Sequence, residues 1–342
     1  MKNKPLQTAL GIDIGGTNIT TALINRAGRI IKVISTSTRS HLGRRHLLDT
    51  IKHLVREMLK NPHLDSLPTG TLSGRLLQAG EPVGIGVGLP GSVDAGLGII
   101  LAKTPNLPRW QGFPIKQLLE SEFNLPTWVE NDANLAALGE KWWGNGRPYD
   151  NLVCYTIGTG IGGGIIINGQ IYNGSFYYAG EVGHIIVDIN GPPCKCGSYG
   201  CLEVMTAGPA IVRRTRKAIR KTQAPTLIRK LSRGDPDNIT AKIVFDAAKR
   251  GDKLALNIVS ETAYYLGVGI SQVVNLLDPQ AIIIGGRISL AGEILFRPVR
   301  RTVNKLIMPS PSRRLKILPA ALGEYATVTG AATLIFQKSG LL

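Results

Sequence analysis

The densest cluster of chemically able side chains is Glu181-Val-Gly-His184 followed by Cys194-Lys-Cys196-Gly-Ser-Tyr-Gly-Cys201-Leu-Glu203. One imidazole and three thiolates form a closed tetrahedral set for Zn²⁺, and a set with no open position suits a structural metal. Spacings of one and four residues between the cysteines let a short glycine-rich loop wrap the ion. Such sites contribute roughly 10–16 kcal/mol of apparent binding free energy in zinc peptides, enough to order the loop. Buried free cysteines with a core histidine are the plain alternative. Glu181 and Glu203 flank the set. With the loop folded on metal, both carboxylates point into one cleft and can accept hydrogen bonds from vicinal hydroxyls, as on a sugar. The second nitrogen of His184 can join them. Cys154, inside an apolar strand, reads as core.

Two glycine turns carry the next chemistry. Asp13-Ile-Gly15-Gly16-Thr17-Asn18 lies between two apolar segments. Backbone N–H groups that approach a phosphate closely need glycine, Thr17 and Asn18 add donors, and Asp13 can hold Mg²⁺ through water. The same residues also suit a tight hairpin braced by its Asp. Thr156-Ile-Gly158-Thr159-Gly160-Ile-Gly162-Gly163-Gly164 contains G-x-G-x-x-G. A dinucleotide fingerprint needs a helix next, whereas Gly164 to Ile167 and the Asn168-Gly169 turn continue as a hairpin, so that reading fails on context. A second phosphate-cradling turn fits better. Glu130-Asn131-Asp132 stands where a strand gives way to a helix. Asp132 can accept a hydroxyl proton during phosphoryl transfer, although Asn131 or Asp132 can equally be a helix N-cap.

Around these motifs the chain must supply positioning elements. Strands are expected at 9–14, 19–24, 30–35, 83–89, 126–129, 151–157, 164–167, 170–172, 281–284 and 315–318, from apolar runs bounded by turn residues. Helices are expected at 47–59, 133–143, 208–222, 240–250, 252–277, 290–306 and 325–337, from apolar residues at helical spacing. The stretch 61–82, rich in Pro, Gly, Ser and Thr, reads as a surface loop. Strands and helices alternate, so the class is α/β. Strand, glycine turn, antiparallel strand occurs at the start and again from residue 151, which points to two domains on one plan.

Bulk properties agree. The 342 residues are 43% hydrophobic and 18% charged, enough for a buried core and inconsistent with a disordered chain. No apolar run approaches the roughly 20 residues of a membrane span, and no signal peptide opens the chain, so a cytoplasmic protein without a membrane partner is expected. The net charge is +17. Nine Lys/Arg and no acid occur between Val204 and Gly234, and seven between Ile294 and Gly323. These runs lack a nucleic-acid motif and nearly all aromatics, so a solubilising surface that attracts nucleotide is expected over a nucleic-acid partner.

Taken together, the four motifs resemble the ROK (repressor, open reading frame, kinase) family, and within it the bacterial glucokinases, from about Leu10 to Gln337. The Glu-x-Gly-His and Cys-x-Cys-Gly-x-x-Gly-Cys-x-Glu pair is specific to that family; glycine hairpins belong to a wider class of actin-like ATPases. The resemblance implies a two-domain actin/hexokinase-like (ribonuclease H-like) α/β fold with a zinc-bound loop, closing on ATP·Mg²⁺ and sugar. The small domain would comprise 1–130 plus 326–342, and the large domain 131–325. By that likeness Asp132 is the base, and Gly91, Asn131, Glu181, His184 and Glu203 contact the sugar. Asp13, Gly15, Gly16, Thr17, Asn18, Thr159 and Gly160 serve phosphates and metal, and Gly285-Gly286 the adenosine. Zinc is held by His184, Cys194, Cys196 and Cys201. A homodimer or homotetramer is implied.

The implied activity is phosphorylation of the 6-hydroxyl of glucose by ATP. Mannose, N-acetylglucosamine, N-acetylmannosamine or another hexose remains open as substrate, and the basic charge leaves inorganic polyphosphate open as donor. A sugar-responsive repressor needs a helix-turn-helix domain, for which the twelve residues ahead of Asp13 leave no room. An actin-like ATPase gives no reason for the zinc loop. The 61–82 loop is longer than the resemblance requires.

Overall fold

The computed structural model describes residues 6–60, 79–104, 106–222 and 224–342. Most of the expected 61–82 loop lies outside the described residues, while 79–82 open a strand. The chain packs as two compact units, Met1–Gly144 with Ile171–Ala179 and Glu324–Leu342, and Asn145–Gln170 with Gly180–Gly323. The first unit thus runs to Gly144 where the expected boundary stood at 130. The physical reason is that the helix after Asn131 buries every residue from Ala133 to Glu140.

The first unit contains β1 (Leu6–Ile14), β2 (Asn18–Asn25), β3 (Ile30–Ser37), α1 (Arg44–Leu59), β4 (Ala79–Leu89), the short pair β5 (Val93–Asp94) and β6 (Ile99–Ile100), α2 (Ile115–Phe123), β7 (Thr127–Asn131) and α3 (Asp132–Trp143), and it is closed by the last helix, α10 (Ala326–Lys338). Its sheet has the order β3-β2-β1-β4-β7. The hairpin strands are antiparallel, and β1, β4 and β7 run parallel. Alternation in β1 sends Leu10, Ile12 and Ile14 to one face, against Leu47, Ile51 and Val55 of α1. Ala9 goes to the other face, with Val328, Ala332 and Ile335 of α10. Each such fully buried Leu or Ile contributes about 1.5–3 kcal/mol. Register then aligns the strand ends: Asp13 stands opposite Gly88, and Gly88 opposite Glu130. Ligands of open α/β sheets bind at such carboxyl ends.

The second unit contains β8 (Leu152–Ile157), β9 (Ile161–Ile167), β10 (Gln170–Ile171, at the edge of its sheet), α4 (Leu202–Thr206), α5 (Gly208–Arg220), α6 (Leu227–Leu231), α7 (Ala241–Lys249), α8 (Lys253–Leu277), β11 (Ala281–Gly285), α9 (Glu293–Leu306) and β12 (Lys316–Pro319). Its sheet order is β10-β9-β8-β11-β12, with β8 and β9 antiparallel and β8, β11 and β12 parallel. Ile282 to Ile284 are fully buried, as expected for a central parallel strand. Gly285 pairs with Thr156, which sets the Gly285-Gly286 pair beside the start of the second glycine turn. Both sheets are mixed. Among the described residues no helix is long and apolar enough to cross a membrane.

Candidate functional site

In the first unit, the first glycine turn is closed by the Gly15 N–H donating to Asn18 O at 2.9 Å. Thr38, which the motif reading did not include, secures it: its hydroxyl donates to Gly15 O at 2.6 Å and its N–H to Thr17 O at 2.8 Å. Asn106 also escaped the sequence reading, and its side chain packs over Gly16, about where a Cβ there would point. Gly16, Thr17 and Asn18 are exposed, and Asp13 is partly buried at the strand end. Burial, and then the charge of Asp132, push the Asp13 carboxyl up to about 7. A buried carboxyl whose ionisation is opposed by burial and by a neighbouring carboxylate is relieved by a hard cation with oxygen ligands, so the donor set fits Mg²⁺.

Asn131 resolves the N-cap question. Its Oδ1 accepts the N–H groups of Ala133 and Asn134 at 2.9 and 3.0 Å, and its Nδ2 donates to Gly91 O at 3.0 Å. Asn131 is therefore the cap of α3 and also a strut to the Gly91 turn. Asp132 is the first residue of the helix, partly exposed, with Oδ1 accepting the Ala133 N–H at 2.8 Å. The first unit thus brings together Asp13, Gly15, Gly16, Thr17, Asn18, Gly91, Asn131 and Asp132.

In the second unit the turn Gly158-Thr159-Gly160 is closed by the Gly158 N–H donating to Gly160 O at 2.9 Å. Gly208 N–H donates to Gly158 O at 2.9 Å, so α5 begins directly on the turn. Its first turn has no side-chain cap, and the positive end of the helix is set beside the exposed Thr159. Glu203 Oε2 accepts the Ile161 N–H at 2.8 Å, and a Cβ on Gly160 would lie 2.6 Å from that oxygen. One oxygen of this expected sugar ligand is therefore held by the phosphate turn. Gly286 takes φ 81°, and a Cβ there would overlap Ile157 O.

A cavity of about 1380 Å³ opens beside this turn, with Gly158, Thr159, Arg287 and Ile288 among its lining residues. Along its wall α5 presents Arg213, Arg216, Lys217, Arg220 and Lys221. Lys242 and Lys249 of α7 line it as well, and its one acid, Asp246, pairs with Lys242 at 2.5 Å. The basic run of the sequence is thus largely a cavity wall.

The zinc-type cluster is formed. The ligand atoms of His184, Cys194, Cys196 and Cys201 all lie within 4.8 Å of one another. Cys196 Sγ is 3.7 Å from Cys201 Sγ, and Cys194 Sγ is 3.7 Å from His184 Nδ1. Thiolates at 2.3 Å from a tetrahedral Zn²⁺ stand about 3.8 Å apart, so the set fits that ion. Cys154 lies apart as a buried strand residue. His184 Nε2 faces the other way, 3.9 Å from Glu181 Oε2. Burial raises the Glu181 carboxyl, with His184 lowering it and Glu203 raising it further. The loop is joined to the turn: Cys201 leads into α4, and Glu203 of α4 bonds the backbone of β9.

With this geometry in view, likeness to known proteins is informative. The model described as "ROK family" matches residues 69–338. A glucokinase of Thermotoga maritima is 35% identical over 98% of this chain and 99% of its own. A xylose repressor of Caldicellulosiruptor bescii is 30% identical over 98% of this chain and 79% of its own. The crystal structure of a ROK family glucokinase from Streptomyces griseus, in complex with glucose and AMPPNP, superposes with TM-score 0.78 at 33% identity, covering 96% of this chain and 99% of that one. The two mixed sheets are accordingly those of the two-domain ROK/hexokinase-like fold, and this chain belongs to the ROK family.

Proposed function

We propose that this protein is a kinase that transfers the terminal phosphoryl group of ATP to the 6-hydroxyl of glucose. The observation that carries the reading is the register that sets Asp13 and the helix start at Asp132 at the carboxyl edge of one sheet. Asp132 takes the hydroxyl proton and orients the oxygen for in-line attack; in phosphoryl transfer that positioning matters more than base strength. Asn131, fixed by its cap and by Gly91, holds a sugar hydroxyl, as do Glu181, the Nε2 of His184 and the free oxygen of Glu203. Mg²⁺, when bound, neutralises charge on the phosphates; Asp13 would hold it. Gly15, Gly16, Thr17 and Asn18 in one turn and Thr159 and Gly160 in the other offer donors to phosphate oxygens. Gly285-Gly286 and the adjoining cavity take the adenosine. Zn²⁺, when bound, orders the loop through His184, Cys194, Cys196 and Cys201.

Glucose is preferred because the glucokinases of Thermotoga maritima and Streptomyces griseus share a third of their residues with this chain along nearly its whole length. The test is ADP release with ATP·Mg²⁺ against glucose, mannose, N-acetylglucosamine and N-acetylmannosamine. Selective turnover on glucose is expected; selectivity for an amino sugar would move the substrate and keep the reaction, and no turnover on any, with ATP or with polyphosphate, would refute the kinase.

The cavity supports a second reading of the donor. Its volume exceeds the roughly 300–1,000 Å³ of ordinary ligand pockets, its wall is cationic, and Phe245 is its one aromatic residue. Eight Lys and Arg side chains line it, a set that can pair with a chain of phosphates. Linear polyphosphate should then replace ATP in the same assay, and inert polyphosphate beside active ATP would remove it.

A further inference from the structure

Glu130 is the member of the Glu130-Asn131-Asp132 run that the proposed reaction leaves without a part. It lies one residue before the cap of α3, and it is a carboxylate only 3% exposed. Its Oε1 accepts the Asn131 backbone N–H at 2.7 Å and the Asn134 amide at 3.0 Å, and its Oε2 accepts the Asn173 amide at 2.7 Å. These amides supply most of what opposes its burial; Lys338 adds the smallest contribution. Both asparagines turn their NH₂ groups to Glu130 although this leaves Asn134 Oδ1 and Asn173 Oδ1 buried without a partner. An unmet buried acceptor is costly, so the carboxylate dictates the arrangement.

Asn173 belongs to the segment Ile171–Ala179, which departs from the second unit's hairpin and packs in the first unit. That segment makes few bonds of its own. Asn173 O accepts the Ala179 N–H at 3.2 Å, Gly174 and Tyr177 take positive φ, and the Tyr177 hydroxyl bonds Asp94. Phe176 is 80% exposed, so little apolar burial holds the segment down. Glu130 therefore grips a lightly held segment with one oxygen and the cap of the Asp132 helix with the other.

We infer that Glu130 is a positioning residue that makes the aim of Asn131 and Asp132 depend on the docking of segment 171–179. The inference rests on Asp132 as the base. If the segment lifts, Oε2 loses its donor, the buried carboxylate turns to find another, and the Asn131 cap shifts with it. A misplacement of about 1 Å at a reacting group costs about 10²-fold in rate.

The test uses Asn173→Asp, which sets two carboxylates face to face, and Glu130→Gln/Asn173→Asp, which restores a donor–acceptor pair with the roles exchanged. Asn173 is partly exposed, so the single variant spares the core. Asn173→Asp should lower kcat about 10²-fold and also lower the melting temperature through the facing carboxylates, and the double variant should recover most of both. Amides of residues 172–179 should exchange faster in the single variant and return to wild-type rates in the double. A single variant with wild-type kcat, or a double variant no better than the single, would overturn the inference. Should the wild-type protein phosphorylate no hexose, the base assignment falls with the kinase, and the exchange result alone decides whether Glu130 ties the segment.

Discussion

The two glycine turns occupy the same place in their sheets and have opposite electrostatics. Each joins the antiparallel hairpin of a five-stranded sheet, and in each sheet the first hairpin strand continues into two parallel neighbours. Around the first turn, register gathers Asp13 and the helix start at Asp132, and acid meets acid. Around the second, the start of α5 and a wall of Arg and Lys gather instead. One topology thus places a glycine turn twice, and the side chains at neighbouring strand ends decide whether it suits metal and hydroxyl or phosphate. The second turn is also braced by a metal loop through Glu203, and the first by Thr38 and the packing of Asn106.

Stripping metal with a strong chelator should break the symmetry most. The second unit loses the anchor of α4, so Glu203 releases Ile161. We expect about one zinc per untreated chain, a fall in melting temperature of roughly 10 °C on removal, and faster amide exchange confined to residues 180–206 and the second turn. Equal loosening of the first turn would show that the two are not braced separately.

Gly286→Ala comes next. A residue with a Cβ is strained at φ 81° and meets Ile157 O. A cost of about 1–3 kcal/mol in stability and a KM for ATP raised roughly tenfold, with kcat nearly kept, are expected in thermal melts and steady-state kinetics. Unchanged KM would separate the second turn from the nucleotide.

Asp13→Asn has the smallest effect and the clearest sign. The folded carboxyl sits at about 7, above its unfolded value, so the folded state binds the extra proton between those values. Without Mg²⁺, the cost of Asp13 is absent below the unfolded pKa and complete above pH 7. The variant should therefore gain about 1–3 kcal/mol over wild type at pH 8 and almost nothing at pH 4, measured by denaturant unfolding. A gain independent of pH would mean that Asp13 is not the burdened acid.

What could be read from the chain beforehand follows physical range. Apolar runs ending in glycine marked β1, β8 and β11, because strand and turn are local; the Cys and His spacing marked the metal loop for the same reason. Helix α2 escaped notice: only Ile115 and Leu119 are buried, too brief a stripe for periodicity. Strand β4 begins at Ala79 rather than 83, its first residues lacking an apolar signal. Contacts across long sequence gaps left no local trace. Thr38 to Gly15, Glu203 to Ile161 and Glu130 to Asn173 each join elements that only the folded chain brings together. The basic run was plain as charge, but its place on a cavity wall depends on the bond from Gly208, where α5 begins, to Gly158 O.

The most direct test compares wild type with Asp132→Asn for formation of glucose 6-phosphate from ATP·Mg²⁺ and glucose, with glucose affinity measured on both by calorimetry. Loss of about 10²–10⁴-fold in kcat with glucose affinity kept is the predicted result. A variant that turns over like wild type would contradict the account, because Asp132 would then have no part as the base.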